Sequence, residues 1–378
     1  MSVLDSIRSL PNRLRPLPGR VRSLIDRRSR GWRIAVGGVA ALVLLPLVIF
    51  IATRGGSASP EPTTTTTVPT TTTTVPTTTT TTAPPPPVAP LTGVPGDFRR
   101  PALIVKIDNV SAARPQSGLR QADIVIEEPV EGNLTRLAAV FQSTDAGIVG
   151  PIRSVRTSDL ELIPMFGRPL FASSGGNSGV VPQLHQANAV DIGSNVSGQG
   201  FRRDSSRPAP HNLYSSTPEL YAKAPETPPP PKALFSYLRR GERPGPGAVP
   251  VHGIALRFGG PEVSRFTWDP GSGTWLRSQN GTPHMAAEGA QIAPRNVVVA
   301  EIAYDRSGQR GRSVPHAVVT GYGPAVVLTQ GHAIRGTWVR PTRAHRLKLL
   351  AADGRTEIKL TPGQTFIELP SLGGSSLF

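Results

Sequence analysis

The chain of 378 residues contains no cysteine. Disulfides, thiolate metal sites, cysteine nucleophiles and lipid attachment through a cysteine are thereby excluded. Local signatures of the commonest enzyme classes are missing as well. There is no G-x-x-x-x-G-K-[ST] loop and no H-E-x-x-H, and no lysine stands three residues after a serine. Gly176-Asn177-Ser178-Gly179 only superficially resembles a G-x-S-x-G elbow. These absences argue against a nucleotide hydrolase, a zincin, a serine penicillin-binding enzyme or an ordinary esterase. They leave open a two-carboxylate glycosidase, whose residues need no local signature. No metal site and no cofactor is expected.

The composition is rich in proline (41) and glycine (39), with a net charge of +16. That charge resembles a nucleic-acid signal until it is divided along the chain. Residues 1–54 carry +8, residues 55–90 carry −1, residues 91–224 carry +1 and residues 225–378 carry +8. The basic arm before residue 34 has one aromatic residue, Trp32 beside the apolar run, and no glutamine, so no nucleic-acid partner is expected.

Ile34 to Ala52 is an uncharged apolar run. At about 1.5 Å per residue it spans roughly 29 Å, close to the hydrocarbon thickness of a bilayer. Nine arginines precede it, from Arg8 to Arg33, and only Arg54 follows closely. The positive excess sets the amino end in the cytoplasm and exports the rest, as a single-pass protein of the cell membrane. A cleaved signal peptide is the alternative, but the apolar core exceeds the usual length and the cleavage-site match at Gly56-Ser57-Ala58 is poor. Residues 60–90 contain sixteen Thr and nine Pro and cannot bury a core. They read as a disordered or polyproline-II spacer with a reach of up to roughly 95 Å.

The expected organisation is a cytoplasmic basic arm (1–33), a transmembrane helix (34–52) and a Thr/Pro-rich linker (53–90). An exported α/β-type mixed domain (91–224), a Pro/Gly-rich hinge (225–249) and a β-rich second domain (250–378) follow. The fold class is therefore α+β. Ala102–Ile107, Ala122–Ile126 and Leu134–Phe141 read as strands, and Ser158–Met165 has helical apolar spacing. After residue 250 many short β runs punctuated by Gly and Pro predict a sandwich or a partly open barrel.

Polar residues concentrate in the loops after the predicted strands. Asp108-Asn109 end the first strand and Arg114 sits in the next turn. Glu127, Glu128 and Glu131 close the second strand, with Arg136 beyond. Arg153 and Arg156 are three apart in a loop, and His211-Asn212 lie in a Pro-rich stretch. Carboxylates and guanidiniums at strand ends would converge on one crevice. The two arginines form a fork suited to a carboxylate or phosphate, and Asp108, Glu127 and Glu131 are candidates to hold a hard cation or to act as acid and base. The same residues serve equally well as buried ion pairs and turn formers. Trp275, Trp338, Tyr304 and Tyr322 are either a platform suited to sugars, anionic polymers or single-stranded nucleic acid, or the plug of a small β core.

The stretch RPALIVKIDNVSAARPQSGLRQADIVIEEPVEGNLTRLAAVFQS, followed by GPIRSVRTSDLEL and RPAPHNLY, resembles the YerB-like family of bacterial envelope proteins. RNVVVAEIAY, GYGPAVVLTQGHAIRGTWVR and DGRTEIKLTPGQTFIEL resemble the carboxy-terminal half of the same family. The resemblance covers roughly residues 91–378. It implies paired adjacent domains, commonly exported and often lipid-anchored, and without a cysteine this chain's anchor has to be the helix. Asp108, Asn109, Arg114, Pro115, Gln116, Ser117, Gly118, Glu127, Glu131, Arg136, Gly150, Arg153, Ser154, Arg156, His211 and Asn212 match the family motifs. The resemblance gives them no role. The expected function is a binding or scaffold module for cell-wall polymer or for an envelope protein of wall synthesis. A wall-acting hydrolase or transferase using a carboxylate pair is the alternative.

Overall fold

A computed structural model of the protein describes residues 87–177, 179–305 and 314–378. The basic arm, the membrane segment and nearly all of the linker lie outside these described residues. Among the described residues no helix is long and apolar enough to cross a membrane.

The first half of the folded chain contributes five strands to a central sheet: β1 (Leu103–Asp108), β2 (Ile124–Pro129), β3 (Thr135–Phe141), β4 (Leu170–Ala172) and β5 (Val190–Asp191). The second half contributes β6 (Asn296–Ala300), β7 (Gly321–Thr329), β8 (His332–Arg340), β9 (Lys348–Ala351) and β10 (Thr365–Glu368). Ten strands run in the order β9-β8-β7-β6-β10-β2-β3-β1-β4-β5, and Ala248–Pro250, paired to β8 off this path, is the eleventh. The helices are short: α1 (Thr157–Leu162), α2 (Val180–Gln186) and α3 (Thr217–Ala222). The fold is mixed and predominantly β.

Both faces of the sheet are covered, which is why its strands read as near-continuous apolar runs. Along β1 and β2 successive side chains alternate between two cores. Leu103, Val105 and Val125 join Val297 and Phe366 on one face. Ile104, Ile124 and Ile126 join Val298 and Ile367 on the other. The first core is closed by a separate five-stranded sheet of Gly253–Arg257, Val263–Asp269, Thr274–Gln279, Thr282–Pro283 and Ser375–Leu377. The second is closed by Leu160, Leu162 and Phe166 of α1 and its 3-10 extension, and by Val180 and Leu184 of α2.

Two expectations change here. The second half is not a sandwich or barrel of its own. Five of its strands extend the sheet of the first half, joined where β10 runs parallel to β2 (Thr365↔Ile124 through Glu368↔Glu127). The physical reason is that β6 and β10 are buried along their whole length. Such strands need neighbours on both edges and a layer on each face. Within the stretch read as a hinge (225–249), Leu234, Phe235 and Leu238 are buried. Tyr237 bridges to Leu360, so this segment lies against the sheet as extended chain. Of the aromatic residues, Trp275 and Trp338 are core, while Tyr322 is exposed.

Candidate functional site

Glu127 and Glu128 are consecutive in β2, so their side chains emerge on opposite faces of the sheet. Each is the centre of a buried polar network.

On the helix-covered face, Lys106 of β1 donates to Glu128 Oε1 at 2.5 Å and to Asp159 Oδ1 at 2.7 Å. All three side chains are buried. Asp159 is placed there by α1, where its other carboxylate oxygen accepts the Arg156 backbone N–H at 2.7 Å and satisfies one of the helix's free donors. Burial pushes Glu128 up to about 7, aided by the Asp159 charge and opposed by Lys106. Register places Arg136 opposite both Glu128 and Asp108. Arg156 Nε donates to Glu131 at 2.7 Å, and its second arm also meets that carboxylate. Burial would raise Glu131, yet the hydrogen bond and charge of Arg156 hold it at about 2. Burial lowers Arg136 to about 10, reinforced by the neighbouring Arg156. Asp108 Oδ2 accepts from Arg153 Nε at 2.9 Å and from His211 Nδ1 at 2.7 Å.

On the face toward the second sheet, Glu127 accepts from Asn109 Nδ2 (3.0 Å), Thr135 Oγ1 (2.7 Å) and Arg277 Nη2 (2.7 Å). Arg277 also donates to Ser264 Oγ at 2.9 Å and to His284 Nδ1. Because a guanidinium only donates, His284 accepts through Nδ1 and carries its proton on Nε2, which donates to Gln116 Oε1 at 2.7 Å. Burial and the charges of Arg277 and Arg114 lower His284 to about 2, so the ring is neutral. Gln116 returns to the start of the network by donating to Asn109 Oδ1 and to the Asp108 carbonyl, both at 3.0 Å. Glu368 lies beside Glu127 by strand register. Burial and the Glu127 charge raise Glu368 well above the usual carboxyl range, whereas Arg277 holds Glu127 below it despite burial.

The residues expected to form one crevice thus occupy separate places. Asp108, Glu131, Arg136, Arg153, Arg156 and His211 gather at the strand ends on the helix face. Asn109 and Glu127 belong to the opposite face. Arg114, half-buried and 3.8 Å from Glu262, lines a cavity of about 410 Å³ with Gln279, Asn280, Pro283 and Met285. Asn212 binds Arg203 and the carbonyls of Asp204 and Arg207. Glu128 was among the strand-end acids, whereas nothing in the sequence reading pointed to Lys106, Asp159, Arg277, His284 or Glu368. A charge inside an apolar run, as in ALIVKI or TFIEL, was the available signal, since a buried charge demands a partner. Among the described residues no three His, Asp or Glu side chains converge to hold a metal ion.

Two family models match the chain. One is the N-terminal domain of a protein of unknown function, DUF3048, over residues 91–229; the other is its C-terminal domain over residues 254–367. The chain belongs to this YerB-like family. It is 29% identical over 304 residues to YerB of Bacillus subtilis (strain 168), named as a candidate lipoprotein, covering 76% of this chain and 88% of that one. The crystal structure of the YerB protein from Bacillus subtilis matches with a TM-score of 0.66 at 26% identity, over 77% of this chain and 99% of that chain. In this member the Glu127–Arg277 pair ties together the two halves that the family models describe separately.

Proposed function

We propose that the protein is a membrane-anchored binding or scaffold module of the bacterial cell envelope. Its amino end stays in the cytoplasm, residues 34–52 cross the membrane once, and the Thr/Pro tract spaces the folded unit from the outer surface. The partner is cell-wall material or a protein of wall synthesis. A relative named as a candidate lipoprotein supports membrane attachment. Here, without a cysteine, the attachment is the helix.

One observation carries the preference for binding over catalysis. Every carboxylate offered as acid or base is already neutralised: Glu127 by Arg277, Glu131 by Arg156, and Asp108 by Arg153 with His211. A general acid or base has to come within hydrogen-bond reach of a substrate atom, and Glu127 has no exposed surface. Glu131 alone of the three is substantially exposed, at 39% of its side chain.

The test is cosedimentation of the compact unit Pro84–Phe378 with isolated cell-wall sacculi at low and high salt. Soluble fragments are counted in the same tubes. Binding without release is expected. Release of fragments that disappears in Glu131→Gln would overturn the reading in favour of a hydrolase or transferase. A unit that retains neither sacculi nor any envelope protein would sink it altogether.

A further inference from the structure

Apart from His211, which meets Asp108, the RPAPHNLY motif is not absorbed by either buried network. It forms the turn and return strand of a small hairpin in which Arg202 pairs with Tyr214 and Arg203 with Leu213. One side of the hairpin opens on a cavity of about 290 Å³, lined by Arg202, Arg203, Arg207, Asp204, Tyr214 and Ile148 among others. That size is at the small end of ligand pockets and suits one charged group with its immediate neighbour.

The three arginines differ from those of the buried networks in what holds them. Arg202 has a carboxylate partner, Glu219 at 3.1 Å. Arg203 donates to the Asn212 side-chain carbonyl at 2.7 Å. Arg207 donates to the carbonyls of Ala113 and Pro115, both at 3.0 Å. Among the described residues neither Arg203 nor Arg207 has a carboxylate within ion-pair distance. Asp204, the acid of the lining, turns one oxygen to the Ser206 N–H and hydroxyl at 2.9 and 2.6 Å. Two guanidiniums are thus fixed in place by neutral acceptors, and Asp204 feels the Arg207 charge without pairing directly with either. Each keeps N–H groups free for a further acceptor, because a guanidinium has five. The Tyr214 ring and the half-exposed Ile148 supply apolar wall beside them.

We propose that this cavity binds an oxyanion, a phosphodiester or a carboxylate, carried on an envelope polymer. Arg203 and Arg207 receive the anion, and Arg202 contributes less because Glu219 already occupies it. Preordered guanidinium forks lose little rotational freedom on binding and match such anions in geometry. The inference rests on the binding-module reading and assigns it a ligand class and a place.

The test uses the full chain in non-ionic detergent, with labelled poly(glycerol phosphate) and poly-glutamate as probes for the two sources of the oxyanion. Anisotropy titrations at low salt are expected to show binding of at least one probe. Arg203→Gln should weaken it about tenfold and Arg202→Gln less. Arg265→Gln, on the five-stranded sheet, is expected to leave it unchanged. Unaltered thermal unfolding of Arg203→Gln shows that the loss is local. Because Arg207 also supports the 113–115 turn, its part is read without substitution: bound probe should protect Arg203 and Arg207 from phenylglyoxal. Preference for the phosphate polymer identifies a phosphodiester as the ligand, and equal binding of both identifies oxyanion recognition of either kind. Binding of neither probe, or binding indifferent to Arg203→Gln and giving no protection, overturns the site. Sacculus binding that survives Arg203→Gln overturns the site while leaving the binding module standing.

Discussion

Replacing Arg277 by methionine tests whether one buried ion pair holds the two halves together. The arginine is wholly buried and comes from the Thr274–Gln279 strand, yet its charge is used by Glu127 on β2 of the central sheet. Methionine fills a similar volume beside Phe266, whose ring centroid lies 5.8 Å from the guanidinium carbon. What remains is a buried Glu127 with two neutral donors, next to Glu368 and without a cation. Removing one partner of such a pair costs about 3–5 kcal/mol, a large part of the roughly 5–15 kcal/mol that holds a domain folded. The melting temperature should fall on the order of 10 °C. The sign with pH follows from the carboxyls. Arg277 lowers the folded pKa of Glu127, so this stability is present above the ordinary value of 4.5 and is lost as pH falls. The penalty of Arg277→Met is therefore expected to be largest near pH 8 and to shrink as pH falls, because Glu127 without its cation takes up a proton in the variant. Urea melts of the compact unit from pH 4 to 8 measure this, with emission from Trp268 and Trp275 as the probe. Adding Glu127→Gln should recover most of the loss at pH 8. A single variant that loses less than about 1 kcal/mol, or a double variant no better than the single, would refute the reasoning.

Glu128, raised to about 7 by burial, contributes stability that is full below 4.5 and is lost as pH rises toward 7. Paired urea melts should show the difference between wild type and Glu128→Gln moving in favour of the variant across that window. Asn109→Ala strips donors from Glu127 and an acceptor from Gln116, and should cost about 1–3 kcal/mol at neutral pH in the same assay. Gly331 occupies the tight turn between β7 and β8 at a φ of 74°, with the Trp268 ring 2.8 Å from where a Cβ would stand. Gly331→Ala is expected to lower the melting temperature by several degrees and to shift tryptophan emission, because both the backbone and the indole must move.

Local pattern reveals the elements well and their partners poorly. LIVKID, IVIEEP and TRLAAVF read as strands because short, β-branched apolar runs fit a sheet covered on both faces. The hairpin from Val263 to Gln279 was harder to see, since its alternating Arg, Thr and Trp give a weaker apolar signal. Asn280-Gly281, both with positive φ, marked its turn toward Thr282. The polar clusters at the strand ends were visible as residues and not as pairs. Consecutive residues of a strand face opposite ways, so Glu127 and Glu128 could be assigned to different cores once β2 was recognised. That Glu127 would meet Arg277, 150 positions away, depends on which sheet packs on which face.

The apolar segment, the uncored Thr/Pro tract, the alternation of each strand and the family are legible in the chain, because these are properties of neighbouring residues. Long-range pairing is what makes two halves share one sheet, spends the candidate carboxylates on internal cations and leaves Arg203 and Arg207 held by neutral acceptors. Those outcomes hang on long-range register and on the cost of burying an unpaired charge, and neither is written in any local stretch of the chain.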